Sequence, residues 1–152
     1  MPKHSSVENL EFARPGLRAL LEKRHFDQGK ENGDYVTFSC QKFTLNLVFY
    51  RADLWAEVHQ NQHPDDAVAL QNLLQFLSLR SSTSNASSTF TEGPDVSSWK
   101  LKRLSSIAAD IDSHFDAISA FFCTGDIASK RAEVTKFVVA RNPDLFRRRG
   151  DP

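Results

Sequence analysis

The chain has 152 residues, of which 40% are hydrophobic and 25% charged, a length that suits one domain with its own core. Its 19 basic and 19 acidic side chains cancel. That balance argues against a general nucleic-acid coat, a polybasic membrane binder or an acidic disordered tail. The expectation is a single globular α+β domain over residues 1–152.

The chain opens on Met1-Pro2-Lys3-His4-Ser5-Ser6 with no apolar run behind it, so no secretory signal is read there. No apolar stretch approaches the ~20 residues that a bilayer span needs. Cys40 and Cys123 are then expected to be reduced thiols in a cytoplasmic protein, Cys123 as a buried one after Phe121-Phe122.

Leu10, Leu17, Leu20 and Leu21 recur at helical spacing and predict a helix over residues 6–25, kinked or restarted at Pro15. Residues 28–34, with Gly29 and Gly33, break that pattern. Strand signals follow in Tyr35-Val36-Thr37-Phe38-Ser39, then in residues 43–50, where Phe43, Leu45, Leu47 and Phe49 alternate with their neighbours. A third lies in residues 54–59, where Leu54, Ala56 and Val58 alternate with Trp55, Glu57 and His59. Period-two alternation puts each set on one side of a sheet. The short connections 40–42 and 51–53 suit hairpins. The prediction is a three-stranded antiparallel meander.

Pro64 with Asp65 and Asp66 suits the first turn of a helix, where acidic groups favour the positive dipole end, and Val68, Leu70, Leu73, Leu74 and Leu77 carry its stripe to about residue 79. Residues 80–98 are rich in serine and threonine and contain Gly93-Pro94, which predicts a flexible loop. Ser98 is then read as the cap of one long helix reaching the Gly125 stop, and Asp126 as the cap of a last helix ending at Asn142-Pro143. The layout is thus an N-terminal helix, the meander and three C-terminal helices.

Charge is unevenly placed. Residues 33–98 carry three basic and seven acidic side chains, and residues 126–152 carry seven basic and four acidic ones. Arg147-Arg148-Arg149, with Lys130, Arg131, Lys136 and Arg141, offers phosphate contacts, but interleaved stacking aromatics are few and nucleic acid is not the expected partner.

The catalytic signals are thin. His59, His63 and Asp66 are metal-ligating residue types placed close together, and the alternative they support is a small metal-dependent hydrolase. His63-Pro64-Asp65-Asp66 resembles the motif of zinc-dependent sugar deacetylases. Here Gln60-Asn61-Gln62 stands where that family has a buried strand, and helix capping explains the same letters. Asp112 and Asp116 share a helical face, but exposed carboxylate pairs stay solvated. No nucleophile elbow and no glycine-rich phosphate cradle are present, so the reading names no catalytic residue, cofactor or metal.

The stronger signal lies on the second side of the meander. If Phe43, Leu45, Leu47, Phe49, Leu54 and Val58 face the core, then Val48, Tyr50 and Trp55 face the other way, with Asn46, Glu57 and His59 beside them. Tyrosine and tryptophan on an open sheet face suit a protein anchor, and Asp53, Glu57, Asp65 and Asp66 add charge that would steer a basic partner.

The run Leu17-x-x-Leu20-Leu21-x-x-x-x-Phe26, followed by Tyr35-Val36-x-Phe38-x-x-x-x-Phe43-x-Leu45-x-Leu47-x-Phe49-Tyr50, is similar to small bacterial proteins that include immunity proteins of polymorphic toxins. The likeness spans residues 10–80 and is a hydrophobic pattern, so it transfers no functional residue. It implies a non-catalytic cytoplasmic inhibitor whose partner is a basic toxin domain.

Overall fold

The computed structural model describes residues 8–50, 53–79 and 96–141. Among these the chain forms five α-helices and a five-stranded antiparallel sheet. In chain order they are α1 (Glu8–Lys23), β1 (Lys30–Asn32), β2 (Tyr35–Ser39), β3 (Thr44–Tyr50) and β4 (Asp53–His59). A 3-10 turn (Pro64–Asp66), β5 (Val68–Ala69), α2 (Leu70–Phe76), α3 (Val96–Ser113), α4 (Phe115–Cys123) and α5 (Ile127–Arg141) follow. The strands lie side by side in chain order.

Helix α1 buries Leu10, Ala13, Leu17 and Leu20, a three-four-three spacing that forms one stripe. It runs unbroken through Pro15, whose exposed ring costs one backbone bond rather than the helix. The glutamate of β1 closes its start: Glu31 Oε1 accepts the Leu10 N–H at 2.9 Å, so a carboxylate meets orphan donors at the positive end of the dipole. Its stop is a Schellman turn, in which the Phe26 N–H reaches the Leu21 carbonyl while His25 takes φ 61°. Helix α2 ends the same way, with Leu79 N–H on Leu74, Ser78 N–H on Gln75 and Ser78 at φ 60°.

The register sorts the strands. Val36 pairs with Leu47 and Leu47 with Ala56; Phe38 pairs with Leu45, Leu45 with Val58 and Val58 with Val68; Phe49 pairs with Leu54. These residues form the inner face, and all belong to the one hydrophobic core. Phe12 of α1 meets Phe49 edge-on at 6.2 Å. Phe43, at the turn between β2 and β3, is fully buried among Phe26, Phe115 and Phe122, with centroids 5.3–6.1 Å away. Gly29 stands at φ 86°, and a Cβ there would lie 2.3 Å from the Phe38 ring, so that position demands glycine. Helix α1 leans on α3, where a Cβ on Gly16 would already touch Leu104 at 3.2 Å.

The α+β class stands, and the finer layout is corrected. The sheet has five strands, not three. Lys-Glu-Asn of β1 pairs with Thr37, Val36 and Tyr35 through a two-residue turn whose Gly33 has φ 66°. Charge on an edge strand hides the β pattern, while glycine at the first central turn position was the available signal. The predicted helix over 64–79 divides into the 3-10 turn, the two residues of β5 and α2, because Val68 completes the inner row with Val58.

The predicted helix from Ser98 to Gly125 divides at His114. There are accordingly five helices rather than four. After the break Phe115 turns in toward Phe26 and Phe43, and Arg24 Nη2 donates to the Asp112 carbonyl left open at the end of α3. Ser98 is not the cap, since α3 already runs from Val96. Residues 96–98 of the predicted serine-rich loop are thus helical, and residues 80–95 lie outside the described residues. Asp126 does cap α5: its Oδ2 accepts both the N–H and the hydroxyl of Ser129, and these bonds hold its carboxyl below the usual value. Cys123 is exposed rather than buried, Cys40 is buried, and both are free thiols.

Candidate functional site: the outer face of the sheet

The same register that buries one set of side chains lines up a second set on the opposite face. Tyr35, Val48 and Trp55 form one row across β2, β3 and β4, with Tyr50 and Asp53 beyond it at one end. Lys30, Thr37, Asn46, Glu57 and Ala69 form the next row, and Ser39, Thr44 and His59 the third. Partners in adjacent strands stand close enough for their side chains to touch.

The hydroxyl and amide groups of the two polar rows bond to one another. Thr37 Oγ1 donates to Asn46 Oδ1 at 2.7 Å, Ser39 and Thr44 share a 2.8 Å hydroxyl bond, and Thr44 Oγ1 donates to Asn61 Oδ1 at 2.6 Å. Asn61 Nδ2 also donates to the Cys40 carbonyl, and Gln60 Nε2 to the Phe122 carbonyl, so this end of the sheet is tied to α4. His59 is buried, its Nδ1 2.7 Å from the Gln60 carbonyl.

The aromatic row differs. Tyr35 is 44% exposed and Tyr50 47%, and Trp55 is half-buried. Val48 is only 5% exposed, yet among the described residues it is the one buried hydrophobic residue outside the core cluster. Tyr35 and Trp55 flank it on either side in the row, and Tyr50 stands two residues along. Exposed rings around a small dry centre make a contiguous apolar patch of the kind that marks interaction sites.

Carboxylates flank the patch on the β4 side. Trp55 Nε1 donates to Glu57 Oε2 at 3.3 Å, which restrains the indole along the strand. Asp53 Oδ1 accepts the Leu54 N–H at 2.7 Å. Neither Asp53 nor Glu57 has a basic partner among the described residues, in contrast to Asp112, which is paired with Lys23 and Arg24. Lys30 sits at the other end of its row, three strands from Glu57 and so about 15 Å away at the usual strand spacing.

Of the six residues predicted for partner binding, Tyr50, Trp55, Asp53 and Glu57 come together here. Asp65 and Asp66 do not. They lie in the 3-10 turn beyond the far end of β4, whose seven residues put it about 20 Å from Asp53. Sequence reasoning missed Tyr35, whose pairing with Val48 extends the patch; the signal was its place in the alternation of Val36 and Phe38. A cleft of about 250 Å³ opens beside Trp55, walled by Asp53, Asn72, Arg103 and Ile107.

The other clusters do not gather. Among the described residues no three His, Cys, Asp or Glu groups stand where they would hold one metal ion, and His63 is exposed apart from buried His59. Asp112 and Asp116 are separated by the helix break at His114. Of the C-terminal cations, Lys130 donates to the Phe121 carbonyl, Arg131 to the Ala67 carbonyl, and Arg141 stacks on Phe137; Arg147, Arg148 and Arg149 lie outside the described residues. No described helix is long and apolar enough to cross a membrane. Comparison with family models, curated proteins and solved structures finds no match to this chain.

Proposed function

We propose that the chain is a non-catalytic cytoplasmic protein-binding module that docks a basic partner on the outer face of its sheet. The observation that carries this reading is the patch of Tyr35, Tyr50 and Trp55 around Val48, dry at its centre yet outside the core, with two carboxylates at its edge that have no basic partner among the described residues. Aromatic anchors around a desolvated centre are where binding energy concentrates, and peripheral charge sets approach rate and selectivity. The hydrophobic pattern shared with immunity proteins supports a more specific form, an inhibitor whose partner is a toxin domain. The engagement of Lys130, Arg131 and Arg141 within the fold supports protein rather than nucleic acid as the partner.

Purification from the native cell tests this, with the co-purifying protein identified by mass spectrometry and its affinity then measured. The expected result is a stoichiometric basic partner whose binding weakens at least about tenfold in Tyr50→Ala and in Trp55→Ala, the level of a single hot-spot loss. Unchanged affinity in both variants overturns the reading.

A further inference from the structure

Cations in this protein are commonly stacked on rings. Arg24 lies over Phe115, Lys100 over Phe49, Arg103 over Trp99, Lys130 over Phe121 and Arg141 over Phe137, at 4.5–5.5 Å. Trp55 is the exception that matters. An indole is the strongest of the aromatic cation acceptors, yet among the described residues this one carries no cation, and its only polar contact is to Glu57. Asp53 and Glu57 stand two residues to either side of it on the same strand face, each about 7 Å away along β4. Asp53 Oδ1 is taken by the Leu54 N–H and Glu57 Oε2 by the indole, which leaves Asp53 Oδ2 and Glu57 Oε1 without a donor among the described residues.

We infer that Trp55, Asp53 and Glu57 form a receptor for a guanidinium group, an arginine side chain delivered by the docking partner. The inference rests on the reading of this face as a docking surface and names the chemistry that it recognises. Guanidinium suits the place better than ammonium. It is planar and weakly hydrated, so it stacks on an indole while its edge N–H groups reach carboxylates on both sides. The position is also directional. Lys30 repels a cation from the β1 end of the face, and the two carboxylates draw it to the β4 end.

The probe is a glycine–arginine hexapeptide, compared with its citrulline counterpart, which keeps the shape and loses the charge. The readout is the indole N–H resonance of Trp55 in the nitrogen-15-labelled chain, told from that of Trp99 by its loss in Trp55→Phe. The arginine peptide is expected to shift the Trp55 resonance saturably and leave Trp99 unmoved. The citrulline peptide, and the arginine peptide on Asp53→Asn/Glu57→Gln, are expected to bind at least about tenfold more weakly. Equal response to the two peptides, or no response of Trp55, overturns the receptor.

The natural partner separates this from failure of the docking reading. A partner lost by Tyr50→Ala and Trp55→Ala but held fully by Asp53→Asn/Glu57→Gln leaves the docking face standing and removes the guanidinium receptor. A Trp55 response to arginine, with partner binding indifferent to Tyr50→Ala and Trp55→Ala, does the reverse.

Discussion

The inner and outer faces of the sheet are made by the same strands and differ in what shields them. Leu47 and Val48 are neighbours in β3 and both are buried, Leu47 within the hydrophobic core and Val48 on the opposite face, outside it. The inner face draws in residues from all five helices and is closed by rings and aliphatic groups far apart in the chain. Among the described residues the outer face presents Tyr35, Tyr50 and Trp55, all of them local to three adjacent strands. The inner face holds the fold together. The outer face keeps apolar surface in reserve, which a folded chain retains at a cost in solubility unless a partner covers it.

The largest effect expected from this contrast is at Phe43. Cutting Phe43→Ala removes a fully buried ring that touches Phe26, Phe115 and Phe122, and the expected loss is about 3–5 kcal/mol by denaturant unfolding. Tyr50→Ala, on the outer face, is expected to cost less than about 1 kcal/mol, as for a surface change that leaves no cavity. Similar losses at both positions would mean that the outer face is structural. The adjacent pair sharpens the test. Leu47→Ala is expected to cost about 2–5 kcal/mol and Val48→Thr about 1–3 kcal/mol, the cost of placing a hydroxyl in the dry centre of the outer row. The second variant should also weaken partner binding, which Leu47 does not touch.

The inner layer contains a flaw of its own. Ser119 of α4 is buried and its hydroxyl has no hydrogen-bond partner among the described residues. Ser119→Ala removes that desolvated group without opening a cavity of consequence, so a gain of about 1 kcal/mol and a higher Tm are expected. A loss of stability would show that the hydroxyl has a partner, such as an ordered water.

How much of this was legible in the sequence follows the period of each pattern. The core residues of β2, β3 and β4 recur at every second position over five to seven residues, so both faces were readable, and with them Tyr50, Trp55, Asp53 and Glu57. The β1 strand was not readable, because Lys30, Glu31 and Asn32 carry no apolar residue and are paired only through the turn at Gly33. Two residues of β5 are too few for any period, and their apolar letters merged with the stripe of α2. The break between α3 and α4 was hidden for the opposite reason. The spacing from Leu104 to Phe122 continues across His114, and the interruption comes from tertiary contacts, Arg24 on the Asp112 carbonyl and Phe115 among the core rings. Cys123 was misplaced because its two predecessors are buried and one more residue at the end of α4 turns outward.

The smallest effect concerns the carboxylates that separate the two sides. Asp112, on the helical side, receives Lys23 Nζ at 3.1 Å and Arg24 Nε at 3.0 Å. The Lys23 hydrogen bond foremost, with Arg24 added to it and desolvation working against both, holds its carboxyl below the ordinary value of 3.8. A carboxyl whose folded pKa is depressed contributes stability that is fully present above its unfolded value. That stability fades as pH falls through the folded one. The Asp112 contribution is therefore constant near neutrality and is lost only below about pH 4. Lys23 is well exposed and Asp112 partly so, and solvent screening limits the pair to less than about 1 kcal/mol. Asp112→Asn should accordingly lower stability slightly at pH 7, and the difference from the parent chain should shrink as unfolding is followed down to pH 3. Arg24 Nη2 keeps its bond to the Asp112 backbone carbonyl in the variant, which confines the comparison to the side chain. Asp53 and Glu57 have no cation partner among the described residues, so Asp53→Asn/Glu57→Gln should leave stability at pH 7 unchanged or slightly raised while weakening the partner. A double variant that destabilises the chain as much as Asp112→Asn would place a structural cation on the outer face and remove the ground for a recognition role there.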